Sequence, residues 1–362
     1  MNRPYFSFQW HLLDDCDQRC KHCYIYSGSD VRLQRMPYPD MLHVLDNIED
    51  FCDAFGRSPY LYITGGDPIL HPDFWELMKE LRSRGIPFTI MGNPFHLTDE
   101  VCARLHDCGC VRYQLSIDGM RETHDWFRRP GSYDETMARI PMLKRNGIRT
   151  VVMTTVSDVN ADQLPDIIDA VVAAGADVFS FSRYVPTAGG NMSGLSPQAY
   201  RNVLDTAYHK FKEYEDAGCP TYFNRKDHLW TLYEWEEGLW SIPEGAKTGI
   251  VYGGCNCGSG HLTITPAGDV LACRRVGESK VGNALADRIA ELWLGPTEGY
   301  RDVDAFSKCS RCELLAWCRG CPAVAKAVGG SFYSADPQCW HEVPDAMAAH
   351  EPRDAAKAGE RR

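Results

Sequence analysis

Short apolar runs alternate with amphipathic segments through the first half of this 362-residue chain, and that alternation restricts the fold to parallel strands covered by helices. The candidate strands are Phe6–Leu13, Tyr60–Thr64, Pro87–Met91, Arg112–Ile117, Arg149–Val156 and Val178–Ser182. The segments between them carry helix spacing, as in Phe74, Leu77, Met78 and Leu81. Crossover helices make successive strands run parallel. About six such units predict an α/β fold, an open TIM-like (β/α)6 partial barrel. Ligands gather at the carboxyl ends of strands in such sheets, so the residues just past each run are the candidate site.

One of those places is rich in cysteine. The run Asp15–Tyr24, DCDQRCKHCY, presents Cys16, Cys20 and Cys23 as C-x3-C-x2-C directly after the first strand. Three thiolates on one short loop suit a cubane iron–sulfur cluster whose fourth iron has no protein ligand. From these residues alone a zinc loop or scattered core thiols remain open, although zinc sites usually pair C-x2-C units and close all four positions.

The composition, 44% hydrophobic and 24% charged, is that of a globular protein. No stretch is long and apolar enough to span a bilayer, and the N-terminus MNRPYFSF lacks the apolar core of a signal peptide, which predicts a cytoplasmic protein with no membrane partner. Reducing cytosol disfavours a disulfide framework, so sixteen cysteines point to metal or redox chemistry. A net charge of −11 leaves no electrostatic footprint for a phosphate backbone, and nucleic acid is not expected as a substrate.

The cysteine loop, with His22 before its last cysteine, resembles the signature of radical SAM enzymes, and the strand ends extend the resemblance. Thr64-Gly65-Gly66-Asp67-Pro68 is similar to that family's GGEP motif, which holds the methionyl amino group of S-adenosylmethionine; Asp67 here is one methylene shorter than the usual Glu. Two glycines permit close backbone approach to a ligand. Gly92-Asn93 follows the third strand. Ser116-Ile117-Asp118-Gly119 resembles the family's SxDG strand end, which implies that Asp118 accepts from the ribose and Ser116 adds a polar contact. Arg183 stands where family members often keep a base for the cofactor carboxylate, with Thr154 and Thr155 as weaker candidates. The order of these motifs along the chain, each at a strand end, is more specific than any one of them.

Gly189-Gly190 and Ser193-Gly194 suggest a boundary after a barrel of residues 1–190, followed by a helical bridge over 191–250 that begins with a helix from Pro197 to about Ala217. The aromatics from Tyr222 to Trp240 read first as core and second as a cleft lining. Cys52, Cys102, Cys108, Cys110 and Cys219 read as core or incidental thiols.

Between residues 251 and 345 comes a cysteine ladder: Cys255, Cys257, Cys273, Cys309, Cys312, Cys318, Cys321 and Cys339. His261 to Cys273 reads as a hairpin with a Pro-Ala-Gly-Asp turn, so that the cysteines flank a small sheet. Two zinc sites are an alternative use of eight cysteines. The segment from about Tyr252 to Trp340 is similar to the SPASM extension of radical SAM enzymes, which implies a small cysteine-rich C-terminal iron–sulfur domain. The resemblance assigns Cys255, Cys257, Cys273 and Cys321 to one auxiliary Fe4S4 cluster, and Cys309, Cys312, Cys318 and Cys339 to a second. Two spacings depart from the pattern: Cys255 and Cys257 are unusually close, and Cys318-x2-Cys321 is one residue short. The tail, 346–362, is expected to be poorly ordered.

The resemblance therefore implies three Fe4S4 clusters, S-adenosylmethionine and a 5'-deoxyadenosyl radical that abstracts hydrogen from the substrate. The expected reaction is an oxidation, with a ribosomally synthesised peptide or small protein crosslinked, for example by a thioether. A flavodoxin or ferredoxin is the expected electron donor. Because the catalytic strand begins at Tyr5, leader binding is expected to need a separate protein. A formylglycine-forming sulfatase-type maturase is less favoured, since that family places an acid after the hairpin cysteine where this chain has Arg274. A tetrapyrrole side-chain oxidase and a non-catalytic electron carrier are the remaining alternatives.

Overall fold

The structure is a computed structural model and describes residues 3–27, 33–187, 192–247 and 249–343. The six expected strands are present as β1 (Tyr5–His11), β2 (Ser58–Thr64), β3 (Phe88–Met91), β4 (Cys110–Ser116), β5 (Arg149–Val156) and β6 (Val178–Arg183), all paired in parallel. Helices α1 (Tyr38–Ala54), α2 (Phe74–Ser83), α3 (Asp99–Asp107), α4 (Arg121–Phe127), α5 (Ser132–Arg145) and α6 (Leu164–Ala173) join them, and α7 (Pro197–Asp216) follows β6.

Strand alternation explains the layering. Phe6, Phe8 and Trp10 turn outward beneath α1, whose Phe51 meets Phe6 and Phe8 at ring-centroid distances of 4.8 and 5.6 Å. Helix α1 buries Met41, Val44, Leu45, Ile48 and Phe51 at helical spacing against this face. Each such burial contributes about 1.5–3 kcal/mol. Ser7, Gln9 and His11 turn the other way, and the register sets Gln9 beside Tyr62 and Thr263, and Thr89 beside Arg112. Outward positions such as Leu61, Ile63, Val152 and Phe181 are fully buried, whereas inward Tyr62, Gln114, Met153 and Ser182 stay half-buried. The sheet thus encloses a hollow whose wall is largely polar.

Two expectations need correction. The segment 191–250 is not wholly helical: β7 (Tyr222–Asn224) pairs in parallel with β6, ahead of helix α8 (Leu229–Glu236). A three-residue strand carries too little alternation to be read from a sequence. Its Phe223 stacks on Phe211 of α7 at 4.6 Å, and Trp230 lies 5.9 Å from the same ring, so these aromatics form core, while Tyr222 is exposed. Nor does the C-terminal hairpin stand apart as a small sheet. Strands β8 (His261–Ile264), β9 (Asp269–Leu271) and β10 (Lys280–Asn283) extend the main sheet, because β8 pairs in parallel with β1. The ten strands run β10-β9-β8-β1-β2-β3-β4-β5-β6-β7. The hairpin covers what would otherwise be a bare β1 edge. Short helices α9 (Ile289–Leu294) and α10 (Pro322–Gly329) complete the C-terminal part.

Among the described residues no helix is long and apolar enough to cross a membrane. Gly189, Gly190 and the tail 346–362 lie outside the described residues.

Candidate functional site

The cysteine loop has almost no regular structure, so its backbone groups depend on tertiary partners. Leu13 and Asp15 accept hydrogen bonds from Gly66 N–H (2.8 Å) and Asp67 N–H (2.9 Å). A methyl group on either Gly65 or Gly66 would collide with the Leu13 or Asp15 carbonyl. The glycines therefore admit the cysteine loop's own backbone, a closer partner than the ligand expected from sequence. On the other side Lys21 N–H donates to Phe127 O at 2.8 Å, and Gln18 Nε2 donates to Ser132 Oγ at 2.5 Å, which also meets His124 Nε2 at 3.1 Å. Arg19, between them, is the only non-glycine with positive φ (43°) among the described residues, a strained conformation of the kind that collects at functional loops.

Cys16, Cys20 and Cys23 are half-buried on this loop, and none of the sixteen cysteines is in a disulfide. Asn93 Nδ2 donates to Cys16 Sγ at 3.3 Å and to Asp17 Oδ1 at 2.8 Å. Asp67 is fully buried, and its Oδ1 accepts from Asn93 N–H at 3.3 Å while its Oδ2 has no partner. Burial pushes its carboxyl up to about 7. Pro68, also buried, starts the 3-10 turn that follows. An unsatisfied buried carboxylate oxygen beside the cysteine loop fits an ammonium such as the amino group of S-adenosylmethionine.

Asp118 is engaged by the protein itself. Arg128 Nε and Nη2 both reach Oδ2 at 2.7 Å, and Thr155 N–H donates to Oδ1 at 2.8 Å. Burial alone would raise the Asp118 carboxyl, but Arg128, with His22 and His124, holds it below the usual range. His22 Nε2 lies 3.4 Å away, yet burial lowers its imidazole to about 4, so this contact is not an ion pair at neutral pH. Arg128 also points Nη1 toward Cys20 Sγ at 3.7 Å, a fixed positive charge against the loop that no sequence motif announced. Ser116 sits half-buried at the end of β4 on the lumen side.

Arg183 ends β6. It is 1% exposed and pairs with Asp227 at 2.8 Å and Asp336 at 2.8 Å, with Gln338 at 3.2 Å, tying the end of β6 to the C-terminal cysteine region. Protein carboxylates take Nε and Nη1, while the buried Nη2 has no partner and stays open as a donor.

Among the C-terminal cysteines, Cys257 lies near Cys255 and Cys273, and Cys321 near Cys255. Cys309 faces Cys339 and Cys312, and Cys318 faces Cys339 and Cys309. Arg319 donates to the carbonyls of Gly253 (2.9 Å) and Cys255 (3.3 Å), fixing the Cys255 loop, and a pocket of about 370 Å³ opens beside Cys255 and Cys257 between Ile250, Val251, Tyr300 and Phe306. Cys102, Cys108 and Cys110 are buried in the barrel core, Cys110 Sγ donating to Arg112 O at 3.2 Å.

The family model of the radical SAM superfamily matches residues 11–171, and that of the iron–sulfur cluster-binding SPASM domain matches residues 255–322. An AdoMet-dependent heme synthase of Methanosarcina barkeri is 28% identical over 340 residues, covering 91% of this chain and 95% of its own length. A mycofactocin maturase of Mycobacterium tuberculosis is 25% identical over 367 residues, covering 96% and 86%. SuiB of Streptococcus suis, bound to S-adenosylmethionine, superposes with a TM-score of 0.72 at 19% identity, covering 94% of this chain and 78% of that one, a likeness of fold.

Proposed function

This chain is a radical SAM enzyme with a C-terminal SPASM domain, and on that premise we propose that it oxidises a side chain of a ribosomally made peptide to form a crosslink such as a thioether. When bound, a Cys16/Cys20/Cys23 cluster with S-adenosylmethionine supplies a 5'-deoxyadenosyl radical that removes a hydrogen atom from the substrate. The chain's own residues bind and orient. Asp67 Oδ2 offers an acceptor to the cofactor's ammonium, and Arg128, locked by Asp118, offers a rigid donor beside Cys20. The two C-terminal sets of four thiols that the resemblance assigns suit one cubane each, three clusters and about twelve irons in all, and they stand ready to take the electron that an oxidation releases. A flavodoxin or ferredoxin donates the first electron.

The polar lumen carries the peptide reading. A peptide needs hydrogen-bond partners for its amides, and the half-buried inward strand positions Gln114, Ser182 and Asn224 provide them. A tetrapyrrole is a broad, largely apolar disc that prefers apolar walls. It remains the second reading because the heme synthase likeness runs nearly the full length of both chains.

Reduced, reconstituted enzyme with S-adenosylmethionine should convert a candidate peptide with loss of two hydrogen atoms, read by mass spectrometry. Consumption of Fe-coproporphyrin with every peptide untouched would transfer the proposal to the tetrapyrrole reading, and absence of deoxyadenosine under all conditions would leave only an electron carrier. Replacing Cys16, Cys20 and Cys23 by Ala should remove about four irons and abolish cleavage.

A further inference from the structure

Where the sheet curls on itself, three cations meet inside the lumen. Arg274 and Arg275 follow Cys273 at the end of β9, and Lys226 follows β7. Arg274 Nη1 donates to Gln9 Oε1 at 2.6 Å, and Arg275 lies 5.2 Å over the Tyr24 ring. Among the described residues none of the three has a carboxylate partner. Lys226 is exposed to solvent, and Arg274, Arg275 and His261 are the charged and titratable groups that act on it among the described residues, while its chain neighbour Asp227 is held by Arg183.

Three cations without a counter-ion oppose one another, and crowding by protein and then the two arginines push Lys226 down to about 8. Neutral hydrogen-bonding groups complete the wall: His11 and His261 are both driven to about 3 by burial and by Arg274, and Tyr24 Oη meets His11 Nε2 at 3.4 Å. Arg275 lies near Cys273 and Cys321, and Arg274 lies near Cys273, so a negative cluster there would face both arginines. Arg274 nevertheless turns Nη1 away to Gln9, and Lys226 has no such cluster partner among the described residues. They stand between the N-terminal cysteine loop, through Tyr24, and the first C-terminal group, through Cys273.

We propose that Arg274 and Lys226 form a carboxylate clamp that anchors the substrate between the two cysteine sites. On the peptide reading, on which this point rests, the carboxylate is an Asp or Glu side chain or the C-terminus near the oxidised residue. A propionate would present the same chemistry on the tetrapyrrole reading. The clamp explains why an arginine follows the hairpin cysteine: it binds an anion and does not serve as a base.

Equilibrium dialysis of the anaerobic holoenzyme with labelled glutarate tests the clamp without turnover. Saturable binding is expected, uncompeted by glutaramide, and R274Q and K226M should each weaken it about tenfold or more, with iron content and melting temperature as controls for folding. Equal binding of glutarate and glutaramide would overturn the clamp. So would wild-type affinity in both variants together with a shifted spectrum of the reduced C-terminal clusters in R274Q, since the cations would then serve the clusters alone. In turnover, a Glu-bearing peptide should react at least about tenfold faster than its Gln counterpart, and Fe-coproporphyrin faster than its esters. Equal rates for Glu and Gln peptides would refute the clamp and leave the peptide reading standing. Intact glutarate binding with no peptide consumed would support the clamp and sink the peptide reading.

Discussion

Lys226 is the residue at which binding and stability oppose each other. Its folded pKa, about 8, lies below the ordinary lysine value of 10.5, so between those values the unfolded chain holds a proton that the folded chain has released. Stability contributed at this site therefore rises as pH climbs from about 8 toward 10.5, and the full penalty applies below 8. K226M should raise the melting temperature at pH 7 by about 1–3 °C, an effect moderated by water reaching the side chain, while weakening substrate binding. A lower melting temperature in K226M at pH 7 would show that the cations are paired in a way the structure does not contain. Arg128 presents the contrary case: R128Q strands the fully buried Asp118 and should cost about 3–5 kcal/mol in chemical denaturation, with part recovered in R128Q/D118N.

At the scale of elements, the turn after β2 and the cysteine loop behave as one unit. Sequence reading found both and attributed the glycines to ligand approach, because a motif shows which backbone is bare but not what comes near it. The structure puts the Asp15 carbonyl against Gly66. G66A should push the loop outward, lowering iron by about four atoms per chain while the C-terminal iron remains, and deoxyadenosine formation should fall with it. Retention of all iron in G66A would mean that the loop tolerates displacement. Strand β7 was missed for a related reason: three residues give no usable period, and its place is set by Phe223 packing on Phe211. The six long parallel strands were legible because outward positions face helices and inward ones face a polar hollow, so the pattern is written into alternate residues.

Across the whole molecule, Arg183 links barrel and C-terminal region through Asp227 and Asp336, all three buried. R183M leaves two buried carboxylates without their cation and should destabilise by about 3–5 kcal/mol. The loss should appear as a separate early transition with release of C-terminal iron, and a single unchanged transition would refute a bridging role. The same scale decides the shape of the site, since the hairpin reaches the barrel by pairing β8 with β1, and only this brings Arg274 to Gln9 across 265 positions of chain.

The chain's own residue order determined the cysteine sets, the strand ends and the class of chemistry, because thiol spacing and period-two alternation are local and survive in one dimension. Tertiary structure alone decided which charges are spent on one another. Asp118 and two of the nitrogens of Arg183 are held by protein partners, and Arg274, which sequence marked only as a departure from an acid, meets Lys226 with no carboxylate partner among the described residues. Coulomb pairing depends on distance through space, and the curl of the sheet sets that distance for residues far apart along the chain.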